Sequence, residues 1–210
     1  MQHIPKYKSS WGKIKEDGTI LHIKNMVCER CKMVVCKVLD DLELEYTKVE
    51  LGLVEFKQVI TPGQRDSLKK ILSFWGLSIT EDHNEILVEK IKHSVINMIH
   101  NDPAISSIKT SYYLSHYLNY NYTYLANVFS QETGTCLRDF IIAHKIERAK
   151  EMLVYEGLTV TEIAWKLNYS SVAHLSNQFN KITGFSPSQF KKNPGKSFIP
   201  FEQMAILEAV

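Results

Sequence analysis

Cys28 and Cys31 are the residues whose types and spacing most plainly suit chemistry in this 210-residue chain. A Cys-x-x-Cys pair converges on one ion when a loop and the first turn of a helix carry it, and the helix N-terminus helps to hold the thiols deprotonated. Two soft sulfur donors favour Cu(I) as the bound ion. Zn(II) prefers four ligands and would need further donors, so other metals stay open. At 100° per residue Cys36 lies about 140° around the helix from Cys31, which makes it a partly exposed structural thiol rather than a third ligand. Cys136 reads as a packed small residue at a helix start. The eight histidines show no paired spacing that converges on the loop. They are expected at the surface, with His3 on the N-terminal arm and His22 on the first strand as alternative donors. Met26 reads as a core plug beneath the loop.

The elements around the pair follow from periodicity. Residues 19–24 alternate apolar and polar, 29–39 place Val34, Val35, Val38 and Leu39 on one helical face, and 46–50 and 53–58 flank a Leu51-Gly52 turn. A helix over 62–74 carries Leu68, Ile71 and Leu72, and 77–80 forms a last short strand. Strand, helix, strand, strand, helix, strand is the ferredoxin-like order. Between the first strand and first helix, Met26-Val27-Cys28-Glu29-Arg30-Cys31 resembles the Met-x-Cys-x-x-Cys loop of heavy-metal-associated domains, with Val35 and Leu39 at that family's packing positions. The resemblance implies a metal held by Cys28 and Cys31. Asn25 stands where that family often has glycine, and Lys32 where a small apolar residue is common.

A second constellation repeats at an interval of fifty residues. YLANVFSQETG at 124–134 and HLSNQFNKITG at 174–184 align without a gap. Each reads as a helix stopped by glycine, preceded by a shorter helix and a tight turn, with Asn121 and Ser170 or Ser171 as N-caps. Helix, turn, helix is a DNA-binding unit. The uninterrupted stretch from Cys136 to Glu156 reads as one long helix that sets the two units at a fixed separation. In the second unit the core face of the last helix holds Val172, Leu175, Phe179 and Ile182, opposite Ala173, Asn177, Asn180 and Lys181. In the first, Leu125, Val128 and Phe129 face inward, and Thr123, Asn127, Ser130 and Gln131 face out. Short polar side chains of this kind read base edges in the major groove, Asn and Gln bonding adenine through two hydrogen bonds.

The runs KIERAKEML and TVTEIAWKLNYSSVAHLSNQFNKITGFSPSQFKK resemble the AraC family signature, over about residues 104 to 193. That resemblance implies two helix-turn-helix subdomains joined by a long helix. It also places the DNA-reading positions on Thr123 and Asn127 in the first unit, and on Val172, Ala173 and Asn177 in the second. Many members carry arginine where this chain has Asn127 and Asn177, which implies a smaller salt-dependent share of affinity and a different base preference.

Bulk properties agree with these readings. A hydrophobic content of 44% and a charged content of 23% are those of an ordinary globular protein, and no apolar run is long enough to span a bilayer. The first thirteen residues do not read as a secretory signal, so a cytoplasmic location is expected. Residues 104–193 hold nine Lys or Arg against six Asp or Glu, while 1–82 hold thirteen against twelve, so the small positive excess lies toward the C-terminus. The expected organisation is an N-terminal arm (1–17), an α+β ferredoxin-like βαββαβ domain (18–82), a helical linker (83–103), an all-α domain of two helix-turn-helix units (104–193) and a tail (194–210). Within the linker, Val88, Ile91, Val95 and Met98 form a narrow seam, suited equally to packing on the DNA-binding domain or to a homodimer. The residues at 101–103 break that helix. The expected function is sequence-specific regulation of transcription, with an operator in double-stranded DNA and RNA polymerase as partners and no membrane. A thiol-disulfide oxidoreductase is the enzymatic alternative, but the tryptophan that precedes Cys-x-x-Cys in thioredoxins is missing. A domain for protein association or thiol redox sensing is the remaining alternative for the N-terminal part.

Overall fold

The computed structural model describes residues 19–100 and 108–192. The arm at 1–17, with His3, the helix break at 101–103 and the tail at 194–210 lie outside the described residues. The chain forms two compact units that divide at His93/Ser94.

The N-terminal unit has the βαββαβ order: β1 (Ile20–Lys24), α1 (Glu29–Asp41), β2 (Tyr46–Glu50), β3 (Leu53–Phe56), α2 (Pro62–Phe74) and β4 (Ser78–Thr80). The four strands are ordered β2-β3-β1-β4, and every neighbouring pair is antiparallel. Leu21 pairs with Val54, and both point to the core that α1 and α2 close with Val35, Val38, Leu39, Leu68 and Leu72. A capping box starts α2, in which Thr61 accepts from the Gln64 amide and Gln64 reaches back to the Thr61 amide. Ile71, expected inside, is exposed beside Phe74 and Trp75 at the end of α2.

Because side chains alternate along a strand, His22, its β3 partner Leu53 and its β4 partner Thr80 share the opposite face of the sheet. All three are buried. The first half of α3 (His83–His100) lies against this face. Glu85 accepts from Lys24 Nζ and Thr80 Oγ1, and Lys90 is a charge neighbour of His22. The seam read at Val88, Ile91, Val95 and Met98 is therefore too narrow, since Ile86, Leu87, Glu89, Lys92, His93, Ser94, Ile96 and Ile99 are buried as well. Periodicity finds the apolar positions of a helix but not polar ones that are buried with partners.

In the C-terminal unit α4 (Thr110–Leu118), α5 (Tyr122–Thr133), α6 (Leu137–Val154), α7 (Val160–Lys166), α8 (Val172–Thr183) and α9 (Pro187–Lys192) follow in order. Over its 18 residues α6 is about 27 Å long. It packs against α5, α7, α8 and α9. The Phe129 and Phe140 rings meet at 5.1 Å, and those of Phe179 and Phe190 at 5.4 Å, so each helix-turn-helix unit carries its own aromatic anchor. Lys145 of α6 donates to the Leu167 carbonyl oxygen at 2.7 Å and so caps the C-terminus of α7. Among the described residues no helix is long and apolar enough to cross a membrane.

Candidate functional site

The two repeated helices, α5 and α8, are built alike. Asn121 caps α5 by accepting from the Tyr124 amide, and Ser171 caps α8 by accepting from the His174 amide. Gly134 and Gly184 end them at φ 70° and 76°, the left-handed conformation that only glycine adopts cheaply. Leu125, Val128 and Phe129 of α5 and Leu175 and Phe179 of α8 are buried.

Thr123, Asn127, Ala173, Asn177 and Lys181 are all exposed, and Gln131 lies on the same outward side of α5. Val172 and Ile182 depart from the expected core face, being 38% and 46% exposed. They stand at the two ends of α8, where the inward stripe runs past the surface it packs on. For Val172 this means that the DNA-reading position implied by the family resemblance, and not the core position implied by helical arithmetic, agrees with its exposure.

Two ring-bearing residues on these helices were not singled out by sequence reasoning. Tyr124 stacks on Tyr120 at 5.2 Å. At the position fifty residues on, His174 is held by Ser170 Oγ at 3.0 Å from Nδ1 and by the edge of Tyr169 at 5.2 Å. The signal for both was a ring four residues after a residue able to pin it. Burial pushes the Tyr169 phenol up to about 12, so that hydroxyl stays protonated.

The thiol pair lies in the N-terminal unit, at the junction of β1 and α1. Cys28 is the N-cap of α1, and its Sγ is 3.5 Å from Cys31 Sγ. Metal-sulfur bonds of about 2.3 Å allow one ion to bridge thiolates up to about 4.6 Å apart, so the pair fits a shared soft ion. Cys36 does not join them. It is placed against the Tyr46 hydroxyl, which also donates to Asp40. Among the described residues no group of three or more His, Cys, Asp or Glu side chains is arranged to hold a metal.

The expectation of a readily deprotonated pair does not hold for Cys31. Burial, then the hydrogen bond and charge of Cys28, raise its thiol above the ordinary value, and these outweigh the backbone hydrogen bonds of Val27 and Cys28 that would lower it. Cys136 is exposed as the N-cap of α6, not packed. Surface positions also fail for His22, His93 and His144, which are buried.

Asn25 adopts φ 64°, the conformation for which glycine would otherwise be chosen and which Asn tolerates. Its side chain donates to the Gly76 carbonyl oxygen at 3.1 Å. Met26 is fully buried, and its sulfur accepts from the Gly52 amide at 3.3 Å, so it plugs the loop from below. Lys32 pairs with Glu29 at 3.6 Å on the first turn of α1.

Residues 114–193 match the helix-turn-helix domain family. A Bacillus subtilis helix-turn-helix-type transcriptional regulator, YtdP, is 26% identical over 104 residues, covering 50% of this chain and 13% of that protein. The transcriptional regulatory protein YesN of the same organism is 32% identical over 77 residues, covering 36% of this chain and 21% of that protein. Among solved structures, the C-terminal domain of AraT, a response regulator from Geobacillus stearothermophilus, is 21% identical with a TM-score of 0.46, covering 58% of this chain and 99% of that one. Residues 114–193, which hold both repeated units, are thus similar to helix-turn-helix domains of transcriptional regulators. Both curated relatives are named as regulators of transcription. The chain spans 13% and 21% of the length of the two Bacillus subtilis regulators, and the family match at residues 114–193 does not include the cysteine-bearing unit.

Proposed function

We propose that this protein is a sequence-specific regulator of transcription that enters the major groove of an operator with α5 and α8, and whose N-terminal unit reports on a soft metal ion held by Cys28 and Cys31. The observation that carries the DNA reading is the duplicated pair of capped helices, each with a buried aromatic anchor inward and a short polar face outward. Thr123 and Asn127 on α5, and Val172, Ala173 and Asn177 on α8, face base edges, and Lys181 contributes positive charge toward phosphate. RNA polymerase is the expected protein partner, and a homodimer is compatible with the reading.

Selection of binding sites from random DNA tests this directly. A selected sequence should be bound at least a thousandfold more tightly than random DNA at the same salt. Equal affinity for both would leave only a nonspecific binder.

For the metal, the presence of two soft thiol donors 3.5 Å apart, with no third beside them among the described residues, favours an ion of low coordination number, with Cu(I) preferred. Zn(II) would need donors beyond the pair. Operator binding by the reduced protein, across a series of metals and a chelator, distinguishes a sensor from a domain that serves only protein association. The same short separation supports a second reading, thiol redox sensing, in which a peroxide accepts two electrons and two protons from the pair as the disulfide forms and water is released. A response to peroxide that survives metal chelation would select it.

A further inference from the structure

Three side chains of α3 recur at i, i+4 and i+8, and each meets the next residue along the chain as it leaves β1. Glu85 accepts from Lys24 Nζ at 2.8 Å, Glu89 accepts from the Asn25 amide at 3.2 Å, and His93 Nε2 donates to the Met26 carbonyl oxygen at 2.7 Å. The last two bonds are to backbone, three and two residues before Cys28. Glu89 and His93 are only 4% and 8% exposed. A buried carboxylate and imidazole are costly unless bonded, and a simple helix-on-sheet contact has no need of them. Lys92 lies 3.4 Å from Glu89 and offsets its charge.

Around these bonds the loop has little freedom. Asn25 is in the left-handed conformation, Val27 N donates to Asn25 O at 3.1 Å, and Cys31 Sγ lies 3.9 Å from the same oxygen. The backbone that sets the spacing of the two thiols is therefore gripped from the far side of the sheet by α3.

We propose that Glu89 and His93 are positioning residues for the Cys28/Cys31 loop, so that the state of the two thiols and the packing of the first half of α3 are linked. The grip concerns the loop itself. It rests on the metal reading above only for the ligand that the loop would take.

The test uses the full-length reduced protein with His93→Leu and Glu89→Leu, each beside its Gln counterpart, which keeps a donor at 93 and an acceptor at 89. Two quantities are measured: the rate at which iodoacetamide modifies Cys28 and Cys31, resolved by peptide mass spectrometry, and Cu(I) affinity by competition with a chromophoric chelator. The Leu variants should be alkylated about 2- to 10-fold faster, the range expected for losing one net hydrogen bond. They should also bind Cu(I) about 10- to 100-fold more weakly, as is usual when an outer-shell partner of a metal ligand is lost. The Gln variants should recover most of both.

Folded Leu variants that react at the wild-type rate would overturn the proposal. If the Leu variants do not fold, hydrogen exchange of the wild-type chain decides. Capping both thiols with iodoacetamide should speed amide exchange over residues 83–93, and unchanged exchange would overturn the linkage. Should the wild-type protein bind no Cu(I), the metal reading falls, while the alkylation and exchange measurements still judge the grip.

Discussion

Asn177 and Phe179 stand two residues apart on α8, one exposed to solvent and the other with no exposed surface, packed edge-on to Phe190. The relationship separates recognition from stability on a single helix. Asn177→Ala should leave the fold intact and weaken operator binding by about 1 to 3 kcal/mol, with a smaller effect on random DNA. Affinities for both DNAs at one salt concentration check this, and equal losses would remove Asn177 from base readout. Phe179→Ala should destabilise the unit by about 3 to 5 kcal/mol through the cavity it leaves, read as a fall in unfolding midpoint.

Gly134 and Gly184 give a separate test of the two helix ends. A Cβ at either position meets nothing within 4 Å, so the cost of substitution is conformational and not steric. Gly134→Ala and Gly184→Ala should each cost about 1 to 2 kcal/mol, measured by denaturant unfolding. No change would mean that the helix ends rearrange without the left-handed residue.

His22 makes the stability of the N-terminal unit depend on pH. Burial first, then the charge of Lys90, lowers its pKa from 6.5 to about 4. The folded state therefore keeps the ring neutral where the unfolded chain protonates it. Its stabilising contribution is complete above 6.5 and is lost as pH falls from there toward about 4. Thermal unfolding of the wild type should decline through that window, and His22→Leu should decline less. A parallel decline in both would assign the acid sensitivity to other groups.

Ion binding at the thiol pair should release protons, because Cys31 holds its own more tightly than an ordinary thiol. Apparent Cu(I) affinity should accordingly rise with pH, and the Cys28→Ser, Cys31→Ser double variant should lose binding while remaining folded. Cys36→Ser, placed beside Tyr46, should matter less. Anaerobic competition titrations at several pH values measure all three, and full affinity in the double variant would locate the ion elsewhere.

Linkage supplies the last prediction. If the ion regulates DNA binding, operator must change ion affinity by the same factor that the ion changes operator affinity, typically about 5- to 150-fold. Metal affinity is measured with and without saturating operator, alongside metal-dependent transcription in a purified system. A filled thiol site with neither response would separate the N-terminal unit from regulation.

The sequence by itself determined what short-range rules determine. The fifty-residue repeat, the caps at Asn121 and Ser171, the glycine stops and the inward stripes of α5 were legible because each depends on residues within about one or two helical turns. The βαββαβ order was legible for the same reason, as was the placement of Cys28 and Cys31 at a strand-helix junction. Only the tertiary structure decided where a predicted face is actually covered. Helical arithmetic put Val172 and Ile182 inward, yet among the described residues neither is covered at the ends of α8. It read α3 as a narrow-seamed linker because the signal for a buried helix is apolar, whereas Glu89 and His93 are buried through bonds to a loop more than sixty residues away in the chain. Burial of a polar side chain depends on which donor or acceptor lies opposite it in space, and that partner is supplied by the fold, not by sequence neighbours.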